Sequence, residues 1–301
     1  MSWLTNTVWA NLRPGRKLST CLASILCMGG LSGGQVAGVH VPASVVAGTP
    51  TPISTAGSGK AAFYLIGPSI SVKRDVNLGE AVQLQSRDVQ NAGRYVAVVC
   101  SESCQSAAFY VTAAKPASMS FLVHPSRVPV AQSDAVSGVV LPFDQFRNLV
   151  LEPLTVDFQL TAGTAALMSR PIQTHNGVAW FRTSSGKTAG TLQVAASINE
   201  LAAKRVVRQV ASDPCNLRIK GQRTTKGILV ETELVHDCAG NPVTDGTIVT
   251  FTASEANGKS TVDAPIKQGV ARAQIASPGP VVVSVASGVV MGNELRVGGH
   301  P

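Results

Sequence analysis

Charged and aromatic residues are scarce in this sequence of 301 residues, at 14% and 5% of the chain. The shortage of charge and a hydrophobic content of 45% exclude an intrinsically disordered chain, because such chains are rich in charge and poor in apolar residues. Six cysteines are also too few for a small protein held together mainly by disulfides. The length instead predicts two or three domains, each able to bury its own hydrophobic core.

The sequence also lacks a long hydrophobic run near its N-terminus. The most apolar stretch there, from Leu18 to Leu31, is interrupted by glycine and falls below the about 18–20 residues that a membrane span requires. It follows three basic residues and precedes a series of small ones, which is the layout of a secretory signal peptide. We predict a signal peptide over 1–43, cleaved after Gly38 or Ala43, and no membrane span once it is removed. A short membrane anchor is the alternative.

The formal charge of +8 does not indicate a nucleic-acid-binding protein. It results from 25 basic and 17 acidic residues, and three of the basic residues fall in the predicted signal peptide. The remaining excess is concentrated between residues 204 and 226. One interpretation is a solvated strand face that protects a sheet edge by its charge. The other is contact with an anionic polymer of the cell envelope. The residues concerned are Lys204, Arg205, Arg208, Arg218, Lys220, Arg223 and Lys226.

Four cysteines remain after the predicted signal peptide, and an even number in an exported chain indicates disulfides. Cys100 and Cys104 flank a short turn, whereas Cys215 and Cys238 lie on either side of a predicted hairpin turn at 224–227. Of the three possible connectivities, the spacing favours the local pairs, Cys100 with Cys104 and Cys215 with Cys238. A metal site with four cysteine ligands is the alternative, although the sequence has no second close pair of cysteines.

The strongest pattern is an internal repeat with a period near 93 residues. Asp144 and Asp237 are 93 positions apart, as are Asn148 and Asn241, and a phenylalanine follows each asparagine by ten positions. Further matches occur in the same order, and they pair 177–179 with 269–271, 192–197 with 283–287, and 203–207 with 294–297. Landmarks conserved in one order indicate two copies of the same domain.

Each copy consists of short predicted β-strands separated by turns rich in Gly, Pro, Asn and Asp. Apolar and polar residues alternate clearly at 155–160 and 247–251, as in a sheet with one buried face. About seven short strands in about 90 residues predict an all-β fold of tandem immunoglobulin-like Greek-key β-sandwiches. Residues 203–210 also fit helical spacing, but their match to 294–297 favours a strand.

Three β domains follow from this pattern, at 50–114, 115–211 and 212–301. The first matches the others only in part. Residues 92–97 resemble 189–194, but too little sequence precedes them for a full copy. We therefore expect 50–114 to be a shortened immunoglobulin-like domain that lacks one or two strands.

The third unit contains DCAGNPVTDGTIVTF at 237–251 and KQGVARAQIASPGPVVVSVAS at 267–287. These segments resemble the bacterial immunoglobulin-like domains of the invasin and intimin type. The second unit departs from that pattern, with Arg147 and Leu149 where the family has Gly and Pro. The resemblance covers about 115–301 well and 50–114 weakly. It implies an immunoglobulin-like fold and a role as a stalk, an adhesin module or an accessory domain. The matching residues are Asp237, Gly240, Asn241, Pro242, Val243, Gly246, Val249, Phe251, Gly269 and Ala271.

The sequence contains no recognisable catalytic motif, so we expect neither an enzyme nor a cofactor. His236 precedes Asp237, but neighbouring side chains in an extended segment point apart. The segment from Gly57 to Lys60 resembles part of a phosphate loop, yet it lacks the first glycine and the Ser or Thr after the lysine. A calcium site at Asp237, Asn241 and Asp245 is less favoured than turn capping by side-chain oxygens, because the loop lacks a run of oxygen ligands.

Two pairs of adjacent aromatic residues lie in predicted strands, Phe63 with Tyr64 and Phe109 with Tyr110. Because successive side chains of a strand point to opposite faces, one ring of each pair faces outward. The outward rings either stack on a sugar or are partly buried against the next domain.

Together these features predict an exported, non-enzymatic protein that is structural or adhesive, at the cell surface, in the periplasm or outside the cell. Its partner is a protein or an envelope polymer rather than nucleic acid, and its sheet edges could add strands from a partner or from a second copy. The alternatives are a ligand-binding module for glycans or anionic polymers of the envelope or exterior, and an accessory subunit of a larger surface assembly.

Overall fold

The computed structural model describes residues 37–298, so most of the predicted signal peptide lies outside the described residues. Within that range, 25 β-strands and one short 3₁₀ helix, Ser86–Asp88, account for the regular structure. The strands form three β-sandwiches with separate hydrophobic cores, and we call them the first, second and third domains. In the described part of the chain, no helix is long and apolar enough to cross a membrane.

The first domain packs a five-stranded sheet against a three-stranded sheet. The orders are β2-β8-β7-β4-β5 and β1-β3-β6, and all neighbouring strands are antiparallel except β2 and β8. The strands are β1 (Gly38–His40), β2 (Ser44–Val46), β3 (Thr51–Ala56), β4 (Lys60–Gly67), β5 (Ile70–Asn77), β6 (Ala81–Leu84), β7 (Gly93–Cys100) and β8 (Cys104–Thr112).

The second domain repeats this topology strand for strand. Its sheets are β10-β16-β15-β12-β13 and β9-β11-β14, and β10 and β16 are again the parallel pair. Residues 203–210 belong to β16 and are therefore strand rather than helix. The strands are β9 (Ser118–His124), β10 (Arg127–Pro129), β11 (Val136–Phe143), β12 (Thr155–Ala162), β13 (Ala165–Gln173), β14 (Ala179–Thr183), β15 (Gly190–Ile198) and β16 (Leu201–Val210).

The expectation of a shortened first domain at 50–114 is wrong, because that domain has all eight strands and its first strand begins at Gly38. It is compact because its connections are short. Residues 57–59 join β3 to β4, whereas residues 144–154 join the corresponding β11 and β12. Strand β1 lies inside the predicted signal peptide and pairs with β3, so cleavage after Ala43 would remove part of the sandwich.

The third domain lacks one strand of the topology that the first two share, the parallel edge strand, and has an additional short strand pair. A two-residue turn between β18 and β19 occupies the place of the parallel edge strand, and the sheets are β22-β21-β24-β25, β18-β19-β23 and the short pair β17-β20. The strands are β17 (Pro214–Cys215), β18 (Ile219–Thr224), β19 (Gly227–Thr232), β20 (His236–Asp237), β21 (Ile248–Glu255), β22 (Gly258–Pro265), β23 (Arg272–Ile275), β24 (Val281–Ser287) and β25 (Val290–Val297).

Every second residue of the strands points into a core, as the alternation of apolar and polar residues in the sequence predicts. The repeated phenylalanines, Phe158 and Phe251, are fully buried at matching positions of β12 and β21. In the second domain, Phe158 packs against Phe181 with ring centroids 4.8 Å apart. Each such side chain contributes about 1.5–3 kcal/mol on burial, so the cores are the main source of stability within each domain.

Both predicted disulfides are present. Cys100 and Cys104 close the β7–β8 hairpin with a Cα–Cα distance of 4.1 Å, and Cys215 and Cys238 connect the β17–β20 pair at 4.9 Å. The alternative of a metal site with four cysteine ligands is therefore excluded among residues 37–298.

Removing the longer disulfide should destabilise the third domain most. The Cys215–Cys238 link spans 23 positions, so its loss in a Cys215→Ser/Cys238→Ser variant should cost about 3 kcal/mol on the chain-entropy model. The Cys100→Ser/Cys104→Ser variant is the control, since its loop spans four positions and should cost about 2 kcal/mol in the first domain. Denaturant unfolding measures both losses, and a third-domain transition unchanged in the first variant would contradict this account.

Candidate functional site: domain junctions and exposed sheet faces

The first and second domains are joined through an aspartate that follows β11. The Oδ1 atom of Asp144 accepts hydrogen bonds from the backbone N–H groups of Phe146 and Asn148 at 2.9 and 2.8 Å. Its Oδ2 atom accepts from the Asn148 side chain at 2.8 Å and from the backbone N–H of Ala114 at 2.9 Å. Because Ala114 belongs to the linker after the first domain, one carboxylate fixes both its own turn and the linker.

Asn148 completes this junction, because its side chain both donates a hydrogen bond to the β6–β7 loop of the first domain and accepts one from it. Its Nδ2 atom donates to the carbonyl of Gln90 at 2.7 Å, and its Oδ1 atom accepts from the N–H of Ala92 at 2.8 Å. A side-chain amide carries a hydrogen-bond donor and an acceptor on the same carbon, so it can bond an N–H group and a carbonyl of one loop together. We call the pair of Asp144 and Asn148 the Asp–Asn clamp.

The second junction repeats the clamp with Asp237 and Asn241. Asp237 accepts from the N–H of Asn241 at 2.8 Å and from the N–H of Ser212, in the linker, at 3.0 Å. Asn241 donates to the carbonyl of Lys187 and accepts from the N–H of Ala189, both at 2.8 Å. The repeat of 93 residues in the sequence thus corresponds to a repeated contact between domains.

Both clamp aspartates are buried, with 1% of Asp144 and 4% of Asp237 exposed. Desolvation raises the pKa of each carboxyl, but the hydrogen bonds from the clamp asparagine and from backbone N–H groups outweigh it. The pKa of Asp144 and that of Asp237 are therefore held below the ordinary value for aspartate. The clamp is consequently built around an ionised carboxylate.

The clamp turn keeps one backbone conformation in both copies. Arg147 has a φ of 68° and Gly240, at the matching position, has a φ of 86°. The second domain therefore preserves the turn although Arg147 departs from the family pattern, and Arg147 bears the strain that glycine avoids. In the third domain, Asp237 also accepts from the N–H of Ala239 at 2.9 Å, which is the turn capping expected from the sequence.

An apolar contact reinforces the first junction. Phe146, in the clamp turn, packs against the core of the first domain. A Cβ atom at Gly48 would overlap the Phe146 ring, so glycine creates the space that the ring occupies. At the second junction Ala239 takes the place of Phe146, and the disulfide at Cys238 constrains the turn instead.

The outer ends of the described series of domains lack the clamp. The connection of 57–59 in the first domain is too short to form the turn. In the third domain the loop before β24 is capped from within, because Arg223 donates to the carbonyls of Ser277 and Gly279 at 2.9 and 2.6 Å. Pro278 in that loop has no N–H to offer a clamp asparagine.

The basic residues predicted as a contact site are divided between two domains. Those of β16 lie in the second domain, and the others lie on or near the β18–β19 hairpin of the third. Lys220 pairs with Glu231 at 3.0 Å, Arg223 caps the loop described above, and the Arg205 guanidinium lies 5.9 Å from the Phe121 ring centroid. All seven are exposed, and within residues 37–298 Lys220 is the one that forms an ion pair. Four of them have neither that ion pair nor one of the two contacts just described, and these are Lys204, Arg208, Arg218 and Lys226.

In each predicted aromatic pair one ring is buried and the other faces outward, as expected for neighbouring residues of a strand. Phe63 and Phe109 are fully buried in the first core, whereas Tyr64 and Tyr110 face outward on the same sheet. Strand β7 separates the two tyrosines, and they differ by four residues in register, which places them about 17 Å apart. Two rings at that distance cannot stack on one sugar unit.

The residues considered in the sequence for catalysis, calcium binding or phosphate binding lie in turns and in the second clamp. His236 Nδ1 lies 3.2 Å from the Leu234 carbonyl, while the carboxylate of Asp237 points into the clamp. Because clamp donors occupy that carboxylate, the calcium alternative that includes Asp237 is not supported. Gly57 and Gly59 belong to the β3–β4 turn rather than to a phosphate-binding loop before a helix. Among residues 37–298, no cluster of His, Cys, Asp and Glu could hold a metal ion.

Two exposed residues are missing from the predicted contact sites. Trp180 on β14 and Leu122 on β9 lie on the outer face of the three-stranded sheet in the second domain. The adjacency of Trp180 and Phe181 in an alternating strand is the same signal that identifies Tyr64. The pairing that brings Leu122 beside Trp180, through Val139, depends on tertiary structure.

Comparison with known structures supports the fold. The chain is similar to FdeC, an adhesin of Escherichia coli, with 17% identity, a TM-score of 0.59 and coverage of 88% of this chain and 97% of that one. It also matches Yersinia pseudotuberculosis InvD, with 11% identity, a TM-score of 0.49 and coverage of 88% and 97%. Invasin, a bacterial integrin-binding protein, matches with 12% identity, a TM-score of 0.45 and coverage of 85% and 57%. No family model and no curated protein matches.

The likeness to FdeC confirms the predicted fold class, a series of immunoglobulin-like β-sandwiches. The resemblance to invasin-type domains noted in the sequence is thereby supported at the level of the fold. The motif at 237–251 that carries the resemblance contains the second clamp, so it includes the residues that join the second and third domains.

Replacing Gly48 by alanine should weaken the first junction, because the new Cβ atom would collide with the Phe146 ring. Gly59→Ala is the matched control, since Gly59 has a similar φ of 89°, against 77° at Gly48, but open space around it. We expect Gly48→Ala to cost about 1–3 kcal/mol more than Gly59→Ala in denaturant unfolding. Equal losses in the two variants would argue against the packing of Phe146 on Gly48.

The junctions should weaken in acid. Because the pKa of Asp237 is lower in the folded than in the unfolded chain, its carboxylate contributes stability that is present above about pH 4, the range of unfolded aspartate. That contribution is lost as pH falls through the lowered pKa. Asp237→Asn should cost about 1–3 kcal/mol at pH 7 and should flatten the loss of stability below pH 5.

The exposed Asp157 provides the control for this pH dependence. Asp157→Asn should leave the acid limb of the stability profile as in the wild type, measured by unfolding from pH 7 to pH 2. A profile that is equally steep in Asp237→Asn and Asp157→Asn would count against the role of the clamp carboxylate.

Proposed function

We propose that this chain is an exported, non-enzymatic adhesion protein whose immunoglobulin-like domains present binding faces at the cell surface or outside the cell. The observation that carries the proposal is the pair of Asp–Asn clamps, which couple neighbouring domains through buried hydrogen bonds. Coupled domains hold their exposed faces in a defined relation to one another. A protein that attaches to a surface through several faces benefits from this, because fewer orientations must be lost on binding.

Export is supported by the two disulfides, since such bonds persist in oxidising compartments. The basic and apolar pattern before residue 37 is consistent with the same route. FdeC is described as an adhesin, and its similarity to this chain extends over 97% of that structure. We transfer the adhesive role as a proposal, with a protein or an envelope polymer as the partner.

Retention by an anionic polymer is a second candidate function, favoured by the charge of the second domain. Residues 115–211 contain nine basic and five acidic residues, whereas residues 212–301 contain eight of each. Arg127 and Arg208 are exposed neighbours on the parallel strands β10 and β16. Two adjacent arginines attract phosphate or carboxylate groups, and this attraction weakens with salt.

Attachment of coated microspheres tests the main proposal. Microspheres carrying the full chain, purified with its disulfides intact, should bind to cell surfaces or envelope fractions at least tenfold more than microspheres carrying the reduced and alkylated chain. Attachment no greater than that of the alkylated control would contradict an adhesive function.

The same assay separates the two candidates. If an anionic polymer is the partner, an Arg127→Gln/Arg208→Gln variant and salt at 0.5 M, where the screening length is a few ångströms, should each abolish attachment. Attachment that resists both changes would favour a protein partner and contradict retention by charge.

A further inference from the structure

The outer face of the three-stranded sheet in the second domain carries an apolar row that crosses all three strands. Leu122 on β9, Val139 on β11 and Trp180 on β14 are cross-strand neighbours. Leu122 exposes 58% of its surface and Trp180 exposes 65%. Two large exposed apolar side chains in one cross-strand row make this face a candidate contact surface.

The packing of the core directs Trp180 outward. The next residue, Phe181, pairs with Gly138 on β11, and its ring fills the space that a Cβ atom at Gly138 would need. That ring then packs on Phe158 in the core. Because neighbouring residues of a strand point to opposite faces, burial of Phe181 holds Trp180 in solvent.

Polar side chains form the adjacent row of the same face. His124, Ser137 and Arg182 are cross-strand neighbours, and His124 and Arg182 are exposed. Together with the apolar row they line a shallow depression of about 420 Å³, a size suited to a small ligand. No Asp or Glu lines this depression, and Arg182 has no ion pair within residues 37–298.

The matching faces of the other two domains lack this combination. In the third domain the outer positions of β18, β19 and β23 include Lys220, Glu231 and Arg272, and both Lys220 and Arg272 pair with Glu231. In the first domain the outer positions include Ser54 on β3 and Gln83 on β6. Within the described range, an exposed tryptophan beside a free arginine is therefore specific to the second domain.

The size and chemistry of the face favour a sugar over a protein. Three apolar residues bounded by polar ones provide much less than the about 800 Å² that each partner contributes to a stable protein interface. The C–H face of a pyranose ring can cover one indole ring, and the polar row can bond its hydroxyl groups. Arg182 next to the ring selects a carboxylate, because a guanidinium binds both carboxylate oxygens at once.

We propose that this face binds an acidic saccharide in which a pyranose ring carries a carboxylate. Trp180 stacks on the ring, and Arg182 pairs with the carboxylate. The site supplies a ligand class for the adhesion proposed above, and in that respect it rests on the proposed function. It is separate from the basic residues on β16 and β18 and from Tyr64 and Tyr110.

Fluorescence titration of the full chain tests this site. The probes are oligogalacturonate and sialyllactose, each compared with its uncharged methyl ester. The chain has three tryptophans, and the other two, Trp3 and Trp9, precede the described residues. The signal that Trp180→Phe removes therefore reports on Trp180. At least one acid should quench this signal and bind at least tenfold more tightly than its ester.

Variants and heat measurements complete the test. In isothermal titration, Trp180→Ala should weaken binding of the acid at least tenfold, and Arg182→Gln should remove the preference for acid over ester. Tyr110→Ala is the matched control, since Tyr110 is also an exposed aromatic residue, at 57%, but lies on the first domain. It should bind as the wild type does. Melting curves should be the same for all three variants because each residue is exposed.

Failure to bind either acid would overturn the proposal, as would binding that both Trp180→Ala and Arg182→Gln leave unchanged. Capture of a protein through Trp180, with no binding of either acid, would overturn it in favour of a protein-docking face. If microspheres coated with Trp180→Ala attach to surfaces as well as the wild type does, the saccharide site is wrong while the adhesive function stands.

Discussion

A buried carboxylate that accepts hydrogen bonds from four donor groups is the constraint on which the arrangement of the domains depends. Asp144 and Asp237 each bind two backbone N–H groups of their own turn, the amide of the clamp asparagine and the linker from the preceding domain. A buried charge without such donors costs several kcal/mol. The turn, the linker and the asparagine must therefore be ordered together, and the asparagine then fixes the loop of the preceding domain.

In the proposed adhesive function, the clamp holds the exposed faces of neighbouring sandwiches in a defined relation to one another. Each sandwich is stabilised by its own core, so its outer sheet positions can vary without loss of the fold. The second domain uses this freedom for Trp180 and Arg182, whereas the third domain fills a comparable face with ion pairs around Glu231. Because the second domain is clamped on both sides, a ligand held there is connected to the rest of the described chain through ordered junctions.

The sequence is sufficient to predict the strands, the repeat and the disulfides, because the alternation of apolar and polar residues, the turn residues and the cysteine spacing are local signals. It also predicts turn capping by Asp237, which acts within five residues. It does not reveal that Asn148 and Asn241 bind the preceding domain, since their partners are backbone groups without a side-chain signature. The sequence pattern underestimates the number of strands in the first domain because its connections, such as 57–59, are short. The basic residues lie close together in the sequence, whereas the fold divides them between the second and third domains.

The most direct test of the clamp is small-angle X-ray scattering of an Asn148→Ala/Asn241→Ala variant, with exposed Asn77→Ala as the control. The account predicts that the distribution of interatomic distances broadens in the double variant while circular dichroism shows intact β-sandwiches, and that Asn77→Ala matches the wild type. A double variant whose distance distribution is the same as that of the wild type would contradict the claim that the Asp–Asn clamps hold the domains together.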